Sequence, residues 1–167
     1  HGMAEQAAEI ELIASNPESA TFENTIEAME KTGQTLGRSR RIFGALISAH
    51  TNAALDDINT EMSPKFAAHR DSILLNAELY ARVVQLYLAQ ESLGLDAESS
   101  RLLDRYHTDF IRAGAQLSDD QKARLREINA DLAALSTAFS QAVLDDVNDS
   151  AVIVESREEL AGMTENQ

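Results

Sequence analysis

The sequence predicts an all-α fold, an antiparallel multi-helix bundle of about five to six helices that ends in a short extended segment. Apolar residues recur at three- and four-residue steps through most of the chain, and capping residues stand ahead of the periodic stretches. Only one short stretch, near the C-terminus, is β-branched.

In chain order, residues 1–30 carry seven carboxylates and no Lys or Arg, an acidic N-terminal helix. Phe22, Ile26, Met29, Gly33 and Leu36, then Phe43, Ile47 and His50, form one stripe of a helix expected from about Phe22 to His50. Ile58, Met62, Phe66, His69 and Ile73 repeat the pattern around Pro64, where Ser63 suits an N-cap and a kink or restart is expected. Asn76 caps a helix carrying Leu79, Val83, Leu86 and Gln90, which Gly94 ends. Asp96 caps the next, carrying Leu103, Tyr106, Phe110, Ala113 and Leu117, and the two read as an antiparallel pair. Ser118 and Gln121 have capping-box spacing, with Asp119 and Asp120 where the helix dipole favours anions. Leu125, Ile128, Leu132, Leu135, Phe139 and Val143 then make a seam expected to be buried against other helices. Ala151–Glu155 favours a strand without a partner strand. It either packs on the helices as an extended arm or pairs with polypeptide outside the chain, and the chain's ending in mid-pattern at Leu160–Met163 favours the second.

At 167 residues, 44% hydrophobic and 25% charged, the chain is long enough for one domain, and no linker or repeat divides it. A net charge of −14 argues against nucleic acid and anionic membranes as partners. Apolar runs fall far short of the ~20 residues that span a bilayer. With no cysteine, disulfides and thiolate chemistry are excluded.

No catalytic constellation emerges. His1, His50, His69 and His107 lack the three- or four-residue spacing of helical metal ligands, and His50 and His69 lie on apolar stripes as boundary histidines do. Gly33 and Gly37 build no phosphate loop, and no serine sits in a nucleophile motif. Glu23 with Glu27, and Asp145 with Asp146, read as solvated surface pairs. Arg38, Arg40 and Arg41 stand out in so acidic a chain. They either bind an external carboxylate or pair with the acidic N-terminal helix, and the second is expected. No catalytic and no metal-ligating residue is assigned.

Residues 2–38, 50–83, 93–125 and 128–144 carry unusual strings in order: Thr21-Phe-Glu-Asn-Thr25, His50-Thr-Asn52 and Tyr106-His-x-x-Phe-x-Arg-x-Gly-Ala115. In these the chain closely resembles the N-terminal region of bacterial peptidyl-dipeptidases, of the thimet oligopeptidase and neurolysin family of zinc metallopeptidases. The resemblance implies a large helical enzyme with a deep channel between two lobes, these helices forming one wall that restricts access to short oligopeptides. It implies residues 1–167 as a single N-terminal domain, with 151–167 a tail leading toward the catalytic part. Zinc would be held outside this stretch by a His-Glu-x-x-His motif, which the sequence lacks. The expected partners are the catalytic domain of the same chain and oligopeptide substrates, in the cytoplasm by resemblance, with the periplasm open. A stand-alone helical interaction module, using the Leu125–Val143 seam to take a partner's helix, is the alternative.

Overall fold

A computed structural model of the chain describes residues 1–162, the side chains of Arg157 and Leu160 excepted. Among these residues every regular element is helical, as expected. Helix α1 (Gly2–Ala14) leads through a loop to a π-helical turn (Phe22–Glu27) that continues as the short α2 (Ala28–Glu30). Then come α3 (Gln34–His50), α4 (Ala53–Leu74), α5 (Ala77–Leu88), α6 (Ala97–Ala113) and α7 (Asp119–Asp149).

The apolar core lies between α1, the π-turn, α5 and α6. Ile26, Leu79, Val83, Leu86, Leu103 and Phe110 are essentially sealed from solvent there. Helices α5 and α6 are antiparallel, since partners run in opposite order: Tyr80 stacks on Phe110 at 5.8 Å, and Gln90 Nε2 donates to Ser100 O at 3.1 Å. The predicted caps form: Asn76 and Asp96 accept the backbone N–H groups of Leu79 and Ser99, and Ser118 with Gln121 closes a reciprocal capping box. Asn52, which the sequence reading did not single out as a cap, accepts from Leu55 N at the start of α4. Gly114, at φ +96°, ends α6 in the left-handed conformation that glycine adopts without strain.

A buried arginine ties the loop after α1 to this core. Arg82, 8% exposed, donates Nη1–H to Asn16 O (2.9 Å) and Glu18 O (3.0 Å), Nη2–H to Asn24 Oδ1 (2.8 Å) and Nε–H to Thr25 Oγ1 (3.3 Å). The string Thr21–Thr25 builds the other side of that cradle. Thr21 Oγ1 accepts from Asn24 N, Asn24 Oδ1 accepts from Thr21 N, and Asn24 Nδ2 donates to Ser19 O.

Four expectations are corrected. The helix expected over 22–50 is broken at Gly33, whose left-handed φ of +67° stops one helix and starts α3; periodic spacing runs through such a residue because it does not register handedness. Helix α4 does not restart at Pro64. It runs unbroken along α7, and Ser63 Oγ accepts from Thr137 Oγ1 at 2.8 Å instead of capping a new helix. The α7 seam is covered only at its start, where Leu125 is half-buried; beyond it Leu135 is 66% and Phe139 71% exposed. The face of α7 turned to α4 is Leu125, Asn129, Ala133, Thr137 and Gln141, at strict four-residue spacing and mostly polar. Asn129 Nδ2 donates to both oxygens of the buried Asp71, and Gln141 Nε2 donates to Asp56 O. Residues 151–155 form no strand and no packed arm, and Val152 is 89% exposed. Met163 and the last four residues of the expected tail lie outside the described residues.

Replacing Arg82 by Met keeps much of the volume but takes a donor from four oxygens, of which Asn24 Oδ1 still accepts from Thr21 N. Unfolding in urea is expected to show a loss of about 3 kcal/mol, against at most ~0.5 kcal/mol for the solvent-exposed Arg101→Met.

Candidate functional site

Helices α3 and α4 are joined by Thr51 and Asn52 and form a hairpin whose seam is open rather than filled. No residue of α3 is buried, and cavities follow the hairpin. One, of ≈ 430 Å³, is apolar and lies among Met3, Leu36, Phe43, Ile58, Met62 and Phe66. Its neighbour, of ≈ 380 Å³, is bordered by Phe43, Asn59, Ser63, Phe66 and Arg70. Arg40 borders both, its guanidinium carbon 4.7 Å from the centre of the Phe66 ring. The arrangement is a cation laid on an aromatic face between an apolar and a polar compartment.

The arginine knot does not pair with α1. Among the described residues, Arg38, Arg40 and Arg41 have no carboxylate within ion-pair distance. The physical reason is helical: residues two apart point to opposite sides, so Arg40 turns to Phe66 and Arg38 away from it, while Arg41 borders with Arg40 a cavity beside Gly33 and Gly37. The acidic helix meets α3 by its backbone instead, where Glu9 Oε2 accepts from Gly33 N at 2.7 Å beside the N-terminus of α3.

The four histidines are scattered. His69 is half-buried, and its Nε2 donates to Gln6 Oε1 at 2.8 Å while the same amide donates to Thr32 Oγ1, linking α1, the Gly33 turn and α4. Burial, then the nearby Arg40 charge, holds its imidazole below the ordinary value. His107 stacks on Tyr87 with ring centres 3.7 Å apart, and burial lowers its pKa against a smaller opposing pull from Asp104. His50 is exposed at the end of α3, and His1 lies 3.9 Å from Glu5. Glu23 lies on the π-turn and Glu27 pairs with Lys31 at 3.1 Å, while Asp145 and Asp146 are exposed on α7. Among the described residues no three His, Asp or Glu side chains converge as a metal-binding group would require, so this donor set does not fit a zinc site.

The family-like strings are structural where the geometry reaches them. Thr51 Oγ1 donates to Asp56 Oδ1 at 2.6 Å, next to the Asn52 cap. Tyr106 donates its hydroxyl to Glu30 Oε1 at 2.6 Å, and burial followed by that carboxylate pushes its pKa well up. Phe110 fills the core. Sequence reasoning passed over Arg82 and Arg70. The signal for Arg82 was a charged residue sharing the stripe of Leu79, Val83 and Leu86; Arg70 carried none, being one more polar residue on a helix.

No protein-family model matches the chain. It is 40% identical over 166 residues to the dipeptidyl carboxypeptidase of Escherichia coli (strain K12), which covers 99% of this chain and 24% of that protein. The dipeptidyl carboxypeptidase of Salmonella typhimurium is 38% identical over 163 residues, 98% of this chain and 24% of its own length. Oligopeptidase A of Haemophilus influenzae is 26% identical over 146 residues, 87% of this chain and 21% of that protein. The chain thus spans about a quarter of the length of these relatives, and the resemblance read from its strings is to them. No helix among the described residues is long and apolar enough to cross a membrane.

Because His69 and His107 are both held below the ordinary imidazole value of about 6.5, the folded chain binds fewer protons than the unfolded chain just below that pH. Stability is therefore expected to fall as pH drops through that value toward the lowered folded pKa values. Thermal unfolding followed across that range tests this, and His107→Phe, which keeps a ring against Tyr87 but cannot take a proton, should flatten the dependence.

Proposed function

We propose that this chain is the N-terminal, non-catalytic wall of a larger zinc-dependent peptidase that releases dipeptides from the C-termini of oligopeptides. The observation that carries the reading is the similarity over nearly all of this chain to a quarter of two dipeptidyl carboxypeptidases. The dispersed histidines and unassociated carboxylates support a segment that shapes the enzyme without supplying its chemistry. The metal, with the residues that activate water on it, belongs to the rest of the polypeptide in this reading, and the enzyme works in the cytoplasm.

The exposed apolar face of α7 supports the same reading. Ile128, Leu132, Leu135, Phe139 and Val143 follow helical spacing, and all are solvent-exposed in the chain by itself. A contiguous apolar stripe of this length marks an interaction surface. In the proposed enzyme the remaining polypeptide covers it, and the charged outer faces of the bundle line the passage that admits flexible peptides and rejects folded proteins. In a stand-alone interaction module the same stripe takes a partner's helix, a second reading favoured by the same exposure.

The test is a chimera in which this chain replaces the matching segment of the E. coli relative. The chimera is expected to release the C-terminal dipeptide from a blocked tripeptide, while the chain alone releases none. Phe139→Asp with Leu135→Asp should lower the chimera's turnover at least tenfold by weakening its assembly. Hydrolysis by the chain alone that disappears on changing His50 or His107 would overturn the reading, as would an inactive but folded chimera.

A further inference from the structure

The α3–α4 seam combines features that the wall role does not need. Residues 31–55 contain no carboxylate, although the whole chain has 28. Within that stretch lie Lys31, Arg38, Arg40 and Arg41. Arg70, on α4, borders the same ≈ 380 Å³ cavity as Arg40. Among the described residues neither Arg40 nor Arg70 has a carboxylate within 4.0 Å, in a molecule whose surplus of acids offers many. A stacked guanidinium keeps its edge N–H groups free, and the fork they form matches a carboxylate. Arg40 is held in that way over Phe66. On the other side of Arg40 lies the apolar cavity beside Leu36, Phe43 and Met62.

The surrounding charge adds direction. A net charge of −14 repels an anion from most of the surface, and α3, which carries Arg38, Arg40 and Arg41 and no carboxylate, is the cationic side of the groove toward which it is drawn. A small inorganic anion would use the arginines and leave the ≈ 430 Å³ apolar compartment empty, whereas a peptide offers a carboxylate and an apolar side chain a residue or two apart. α3 has 17 residues, and a helix of that size is about 25 Å long, room for several extended residues beside it.

We propose that the groove between α3 and α4 binds acidic oligopeptides, pairing a Glu or Asp carboxylate with Arg40 and Arg70 and seating a neighbouring apolar side chain beside Phe43 and Met62. The choice of a peptide rests on the peptidase reading above; the choice of an acidic one rests on the charge pattern. In the assembled enzyme such a groove selects for acidic peptides at a distance from the metal, so its effect falls on KM rather than kcat.

The probe is the blocked tetrapeptide acetyl-Phe-Glu-Glu-Phe-amide, with acetyl-Phe-Gln-Gln-Phe-amide as the uncharged control. Each is titrated into the isotope-labelled 167-residue chain while amide, Arg Nε–H and His69 ring signals are followed by NMR. The acidic peptide is expected to shift Arg40, Gly44, Ser63 and His69 in a saturable way, and to bind at least tenfold more tightly than the Gln peptide. Arg40→Glu or Arg70→Glu should weaken it at least tenfold. Arg38→Glu, the same charge change on another side of α3, should weaken it less than threefold. Equal binding of the two peptides, equal weakening by all three variants, or no binding of either peptide overturns the proposal. Those outcomes leave the chimera's activity untouched, whereas an inactive chimera rejects the peptidase reading whatever the titration shows.

Discussion

The fold depends on a buried cation that has no counter-ion among the described residues. Arg82 sits on the core side of α5 among the carbonyls of Asn16 and Glu18 and the side-chain oxygens of Asn24 and Thr25. An arginine taken out of water is tolerated only when its donors are satisfied, and here four neutral oxygens replace the hydration shell. Each acceptor belongs to the stretch from Asn16 to Thr25, so one side chain fixes the loop, the π-turn and α5 against one another. The helical turn it grips is wider than an α-turn, a geometry that short local propensities do not favour and that such an anchor sustains. With that loop fixed, Phe22, Ile26 and Met29 are delivered to the core, and α3 leaves in a direction set by Gly33.

Two kinds of packing then divide the molecule. Around α1, α5 and α6 the interior is apolar and sealed. Along α4 and α7 the contact is made by hydroxyl, amide and carboxylate groups: Ser63 with Thr137, Asp71 with Asn129, and Asp56 and Thr60 with Gln141. Each such bond adds only about 1 kcal/mol net, so this pairing fixes register more than it supplies stability. Ile128, Leu132, Leu135, Phe139 and Val143 of α7 are turned away from it. A helix that spends its polar face on its own bundle and keeps its apolar face outside is suited to joining that bundle to something else, in a chain that spans about a quarter of the length of its relatives. The open seam between α3 and α4 belongs to the same picture, since α3 rests on α1 at one end and leaves cavities against α4 along its length.

Much of the architecture was legible in the sequence because it is encoded locally. Asn76, Asp96 and Ser118 announce helix starts by side-chain chemistry that acts within three residues, whereas Asn52, which caps α4, and Gly114, which ends α6 short of the expected Leu117, were not read as boundaries. The antiparallel α5–α6 pair followed from two capped periodic stretches joined by a short connection. What was not legible depends on distant partners or on handedness. A stripe through Gly33 has perfect helical spacing, yet only φ decides whether the chain continues. Pro64 looks like a boundary until Thr137, more than seventy residues on, engages Ser63. The seam of α7 pointed to burial, but periodicity identifies a face and not what covers it. The candidate site was half visible: the arginines stood out, while Arg40's contact with Phe66 and Arg70's place beside it arise from a fold that brings α3 against α4.

On the proposed reading the apolar α7 face is closed by the rest of a larger polypeptide. Hydroxyl-radical footprinting reads that directly, because side-chain oxidation of Leu132, Leu135 and Phe139 tracks their access to water. Strong labelling of all three is expected in the chain alone and at least fivefold protection in the active chimera, with exposed α3 residues such as Ile42 serving as a reference within the same sample. Labelling of Leu135 and Phe139 that is the same in both would contradict that reading.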